Sequence, residues 1–152
     1  MAPNRAALTA GTPASRAQVL DEHWHLLLGQ AWEELCRGGV PTIHGALARL
    51  GPWRPPSRYW HGADPAWDLV ADAISGERVL VGEAWFSARP VTAAVLAREA
   101  ERLAGRPLPA AIRGREVVRA LFVPAAVASA PKLVAPVHIV TLADLLGRAA
   151  VR

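Results

Sequence analysis

The hydrophobic positions change their period several times along the chain, and each change marks an expected element. From Ser15 onward, Leu20, Trp24, Leu27, Leu28, Ala31 and Leu35 recur at helical spacing. Ser15 suits an N-cap and Gly38-Gly39 a stop, so the pattern predicts a helix from Ser15 to about Arg37. Trp32 and Cys36 lie off that stripe, which leaves the last turns apolar on more than one side and predicts a buried helix. A shorter helix is expected over His44–Leu50. Pro52-Trp53-Arg54-Pro55-Pro56 then excludes helix and central strand, and reads as a loop leading into Tyr59-Trp60.

The period next shortens. Trp67–Ala73 alternates, and Arg78–Phe86 is rich in Val, Leu and aromatic residues, which predicts two strands joined by a tight turn at Ser75-Gly76. Pro90 ends the second. Thr92 can cap a helix over Ala93–Ala104 closed by Gly105, with Leu96, Ala100 and Leu103 as its apolar stripe. Val117–Val123 is a continuous apolar run suited to a buried strand, Val137–Val140 is a fourth strand, and Thr141 caps a last helix over Leu142–Ala149. Residues 1–14 are rich in Ala, Pro, Thr and Gly without a period. They are expected to be a disordered tail, with 15–152 as a single domain. No repeat is visible. The order of elements defines an α/β class: a mixed central sheet flanked by helices.

Composition adds bounds. The 152 residues are 52% hydrophobic and 20% charged, enough for a packed core rather than a disordered chain. Lys and Arg number 17 against 13 Asp and Glu, for a net charge of +4, and only Lys132 is a lysine. Arginine's planar fork suits phosphate, although an Ala- and Arg-rich sequence is equally the mark of a GC-rich genome. The one cysteine, Cys36, excludes an internal disulfide and a thiolate metal site. Without a secretory h-region or a long apolar run, a cytoplasmic location and no membrane association are expected. No phosphate loop of the Walker type and no Ser or Cys nucleophile motif is present. His23 and His25 are two apart on a helix and face different sides, whereas His61 precedes Asp68 in a loop and His138 lies on the last strand. Arginines interleave with aromatics at Trp53-Arg54 and Arg58-Tyr59-Trp60, a pattern suited to nucleic acid. Trp60 reads better as core, and Trp53 stays open between the two roles.

The residues that carry chemistry lie on the hairpin. A two-residue turn at Ser75-Gly76 sets Asp68 opposite Glu83 on one side of the sheet, with Cβ atoms roughly 5 Å apart and Val70 and Val81 as same-face neighbours. Two carboxylates so placed repel unless protonation or a bound cation neutralises them, and a hard cation such as Mg²⁺ suits oxygen ligands. The alternative is that both acids sit in water at the strand ends. A register slip of one residue would separate them.

These same residues resemble a known family. Tyr59-Trp60-His61-Gly62, Trp67-Asp68-Leu69-Val70-Ala71, Leu80-Val81-Gly82-Glu83-Ala84-Trp85-Phe86 and Pro90-Val91 are similar to the nuclease-like domain found C-terminal to the ATPase module of archaeal-type AAA ATPases. That domain belongs with the PD-(D/E)XK, restriction-endonuclease-like superfamily. Gly29-Gln30-Ala31-Trp32-Glu33-Glu34 and Val118–Val123 extend the likeness over residues 25–125. The resemblance implies a restriction-endonuclease-like fold, with Asp68, Glu83 and the carbonyl of Ala84 as ligands of Mg²⁺ and Glu33 as an acid from the first helix. It also implies DNA and an AAA-type ATPase as partners. A helical wheel turns Glu33 away from the Leu20/Trp24/Leu28 stripe and leaves Glu34 on its flank; an ordinary pair of Glu33 with Arg37 is the other reading. The chain departs from the family where Trp85 stands in place of the catalytic lysine. An indole supplies no ammonium, and loss of such a group costs orders of magnitude in rate. Three functions are therefore expected in order: a degenerate nuclease-like domain binding nucleic acid or a protein; an active Mg²⁺-dependent DNA endonuclease with a relocated cation; and a structural interaction domain without a ligand.

Overall fold

The computed structural model describes residues 11–147, so residues 1–10 of the expected tail and 148–149 of the expected last helix lie outside the described residues. Contacts cluster in two units, Met1–Ala31 and Trp32–Arg152. Helix α1 spans Pro13–Gly39. It starts earlier than the expected cap at Ser15, because Thr12 takes that role: its Oγ1 accepts the Ser15 N–H at 3.2 Å, and Pro13 supplies a helix-ready φ at the first position. In the first unit Leu20, Trp24, Leu26 and Leu27 are half or more exposed. The expectation of a helix buried on more than one side is therefore corrected over these turns. In the second unit it is the off-stripe pair, Trp32 and Cys36, that is buried, while Leu35 is exposed.

After a 3₁₀ turn at Val40–Thr42 come α2 (Ala46–Leu50), β1 (Ser57–Tyr59), β2 (Trp67–Asp72), β3 (Arg78–Ala84), α3 (Ala93–Ala104), β4 (Glu116–Val123), β5 (Leu133–Val134), β6 (Val137–Thr141) and α4 (Leu142–Leu146). The six strands form one mixed sheet in the order β1-β2-β3-β4-β6-β5. β1, β2 and β3 are antiparallel neighbours, β3, β4 and β6 run parallel, and β5 closes the far edge antiparallel to β6. The α/β class with a helix-flanked mixed sheet is thus realised. α3 follows the sequence closely: the Thr92 hydroxyl accepts the Val95 N–H, and Leu96, Ala100 and Leu103 are buried.

Two layers cover the sheet. On one face Trp32, Cys36, Val40, Leu47 and Leu145 pack on Leu69, Ala71, Leu80, Ala120, Phe122 and Val140. On the other, Leu96, Ala100 and Leu103 of α3 pack on Val79, Val81, Leu121, Val123 and Val137. Gly82 lies under the first layer, where an added Cβ would stand 2.7 Å from Phe122 and 3.2 Å from the Ala120 carbonyl. Pro52–Pro56 is irregular as expected, apart from a single bridge at Trp53, and it leads into an edge strand that the sequence did not show. Ser57 pairs with Val70, Tyr59 with Trp67, and Trp53 bridges Ala73. An edge tolerates the flanking prolines because their missing N–H groups face outward. Among the described residues, no helix is long and apolar enough to cross a membrane.

Candidate functional site

The β2–β3 hairpin keeps the expected register. Ala73 N–H donates to the Arg78 carbonyl at 2.9 Å, the loop runs Ile74–Glu77 with Gly76 at φ +79, and Leu69 faces Gly82 while Val70 faces Val81. The next step would bring Asp68 to Glu83, and there the ladder breaks. Between its pairs with Ser57 and Tyr59, β2 carries an extra residue, an irregularity that re-aims side chains. Trp67 consequently packs in the α3 layer although Leu69 and Ala71, of the same parity, pack in the α1 layer.

The two acids therefore part company. The Asp68 carboxylate accepts the Ala84 N–H at 3.0 Å and lies close enough to Cys36, in the α1 layer, to act on its thiol. The Glu83 carboxylate is gripped from the α3 side: Oε1 accepts from Arg102, and Oε2 accepts from Arg106 Nη1 at 2.9 Å. Only 17% of the Glu83 side chain is exposed, so both guanidiniums act through a poorly solvated gap. The pair is braced in turn. Arg102 Nε also donates to Glu99 at 2.9 Å, which holds the Glu99 carboxyl below its ordinary range, and Arg106 lies 5.1 Å above the centre of the Trp67 ring. Trp85 packs half-buried in the same layer, with its backbone N–H donated to the Phe122 carbonyl at 2.9 Å.

Glu33 and Glu34 separate clearly. Glu33 is 22% exposed on the sheet side of α1, 3.5 Å from Arg37, whereas Glu34 is 76% exposed. Glu33 lies near enough to the buried Cys36 to act on its thiol. Arg37 is the hub here: its Nη1 also donates to the Asp68 carbonyl at 3.0 Å, and its Nη2 to Glu34 at 2.7 Å. Cys36, fully buried beside them, has its thiol pushed well above the ordinary range, first by burial and then by Asp68 and Glu33, with Arg37 opposing.

A Mg²⁺ ion held by Asp68, Glu83 and the Ala84 carbonyl needs these oxygens to converge. The donor set does not fit that ion: one carboxylate is spent on a backbone N–H toward the α1 layer, and the other on two guanidiniums toward α3. Among the described residues, no three of His, Cys, Asp and Glu gather to hold a metal. Sequence reasoning weighs Arg102 only as a stand-in for the missing lysine and misses Arg106; the signal was two arginines four apart, one in the last turn of an amphipathic helix and one just past its end. Trp60 is the other surprise. The indole expected in the core is 80% exposed, and Trp53, whose Nε1 donates to the Leu47 carbonyl at 2.8 Å, is the buried one.

These features define a mixed α/β domain with a carboxylate–arginine cluster at one end of its central hairpin. Compared with known proteins, the chain matches no family model, and neither a curated protein nor a solved structure is significantly similar to it.

Proposed function

We propose that this chain is a nuclease-like domain of the PD-(D/E)XK kind that has kept the scaffold, lost the metal-dependent chemistry, and binds nucleic acid. The observation that carries this reading is the double arginine clamp on Glu83. A divalent cation would have to displace two guanidiniums from a carboxylate that is 17% exposed, and would gain no second carboxylate from Asp68. Trp85 in the lysine position supports the same conclusion, since it offers no charge to an attacking water. The lineage rests on the sequence resemblance of the Asp68 and Glu83 strands, and a helix-flanked mixed sheet is compatible with it. Nucleic-acid binding is supported by the net charge of +4 and by the fork geometry of its arginines. The same lineage makes an AAA-type ATPase the natural protein partner and the cytoplasm the natural setting.

The test is calorimetric titration with Mg²⁺ and Mn²⁺, followed by incubation with supercoiled plasmid in Mn²⁺. Neither saturable heat nor nicking is expected. Nicking by the wild-type chain that disappears in Glu83→Ala would overturn the proposal and restore an active endonuclease.

A further inference from the structure

We propose that the outer edge of the sheet at Arg54–Trp60 is a landing strip for single-stranded nucleic acid, with Trp60 stacking on an unpaired base and Arg58 and Arg54 meeting the backbone phosphates. This rests on the nucleic-acid part of the function proposed above and supplies its site and its strand preference. The acidic cluster takes no part in it.

Trp60 is the most exposed large apolar side chain among the described residues, at 80%. An indole is normally buried on at least one side, because it carries one of the largest apolar surfaces of any residue. Trp32, Trp53 and Trp67 follow that rule and are buried, with Trp32 Nε1 donating to the Phe122 carbonyl at 3.3 Å, and even Trp24 on α1 is exposed by only 52%. The exposed indole has charged company. Arg58, Trp60 and Ala66 line one open cleft of about 320 Å³. Both residues are exposed, Arg58 within β1 and Trp60 just beyond its end. Arg54 is held to the same edge upstream, where its backbone N–H donates to the Asp72 carbonyl at 2.8 Å.

The arginines at this edge are unspent. Arg37, Arg78, Arg98, Arg102, Arg106 and Arg115 all pair with carboxylates. Arg54 and Arg58 are exposed and have no side-chain partner among the described residues. The nearest acid along the chain, Asp64, is committed elsewhere: it accepts from the Tyr59 hydroxyl at 2.7 Å and the Ala110 N–H at 3.1 Å. Positive charge with no internal counter-ion, next to a bare π-face, is complementary to a phosphate chain carrying unstacked bases. A duplex hides its bases from such a platform, so the fit is to a single strand. A protein contact is disfavoured because Arg58, His61 and Gly62 flank Trp60 and no other exposed large hydrophobic residue lies within ten positions of it along the chain.

Fluorescence anisotropy with a dye-labelled oligo-dT, in the full chain at low salt, tests this. Single strand is expected to bind more tightly than a duplex of equal length. Trp60→Ala should weaken it about tenfold while Trp60→Phe keeps most of the affinity. Arg58→Ala should lower the slope of log affinity against log salt by about one. Unchanged urea midpoints in all three variants confirm intact folding. Wild-type affinity in Trp60→Ala, or equal binding of duplex, overturns the platform while leaving nucleic-acid binding standing. A wild-type chain that binds no oligonucleotide overturns the nucleic-acid reading itself. Loss of self-association in Trp60→Ala with DNA affinity intact assigns the indole to a protein contact and likewise ends the proposal.

Discussion

Glu83 shows how one residue's partners decide its role. A carboxylate poised for a metal destabilises the protein that keeps it, and removing it relieves repulsion. Glu83 instead anchors two arginines, so Glu83→Gln is expected to lower stability by about 1–2 kcal/mol, a figure set toward the low end because Arg102 is 47% exposed. Urea denaturation at neutral pH measures it; a stabilised variant would contradict the clamp. His138 gives a pH prediction. Burial lowers its pKa below the ordinary value of 6.5, and its Nδ1 is buried without a hydrogen-bond partner among the described residues. The unfolded chain therefore takes up the proton first, so stability falls as pH drops from about 6.5 toward the depressed value and levels off below it. His138→Gln should flatten that part of the profile of unfolding midpoint against pH. At this scale the sequence was half legible. The turn at Ser75-Gly76 placed the hairpin in its true register, but the extra residue in β2 that splits Asp68 from Glu83 leaves no mark in residue type. It arises from pairing with β1, a strand that the sequence did not show.

At the scale of elements, α1 is the clearest case of a pattern whose period was legible and whose burial was not. Its apolar residues are periodic, yet the stripe with the most leucines points outward, and Trp32 and Cys36 make the buried contact. Periodicity reports that a helix has a preferred face, while the identity of that face is settled by what packs there. Trp32→Ala is thus expected to cost about 3–5 kcal/mol, and Leu27→Gln to stay within about 0.5 kcal/mol, both read from denaturant midpoints. α3 was legible almost to the residue because cap, stripe and stop all agree. β1 and β5 were not, since strands as short as Ser57–Tyr59 and Leu133–Val134 owe their existence to a neighbour's free edge rather than to propensity. Gly82 lies between these cases. Its lack of a side chain looked like part of a motif, and the structure gives it a packing reason. Gly82→Ala should cost about 1–3 kcal/mol, because Phe122 and the Ala120 carbonyl leave no room for a methyl group.

For the whole molecule, the sheet order and its two covering layers follow from a hairpin, a helical crossover and a buried apolar strand, all visible in the sequence. What closes the edges was not visible. Because folding draws on these layers and not on a bound ion, neither EDTA nor added Mg²⁺ is expected to move the thermal unfolding midpoint. A shift of several degrees with Mg²⁺ would contradict the separation of the acids. The buried thiol offers a last consequence. Cys36 is the only cysteine of the chain, has no exposed surface, and sits where the C-terminal half of α1 meets the sheet. A thiol reagent added to the native protein therefore reacts only when that layer lifts, so its labelling rate counts the breathing of the helix against the sheet without any engineered probe.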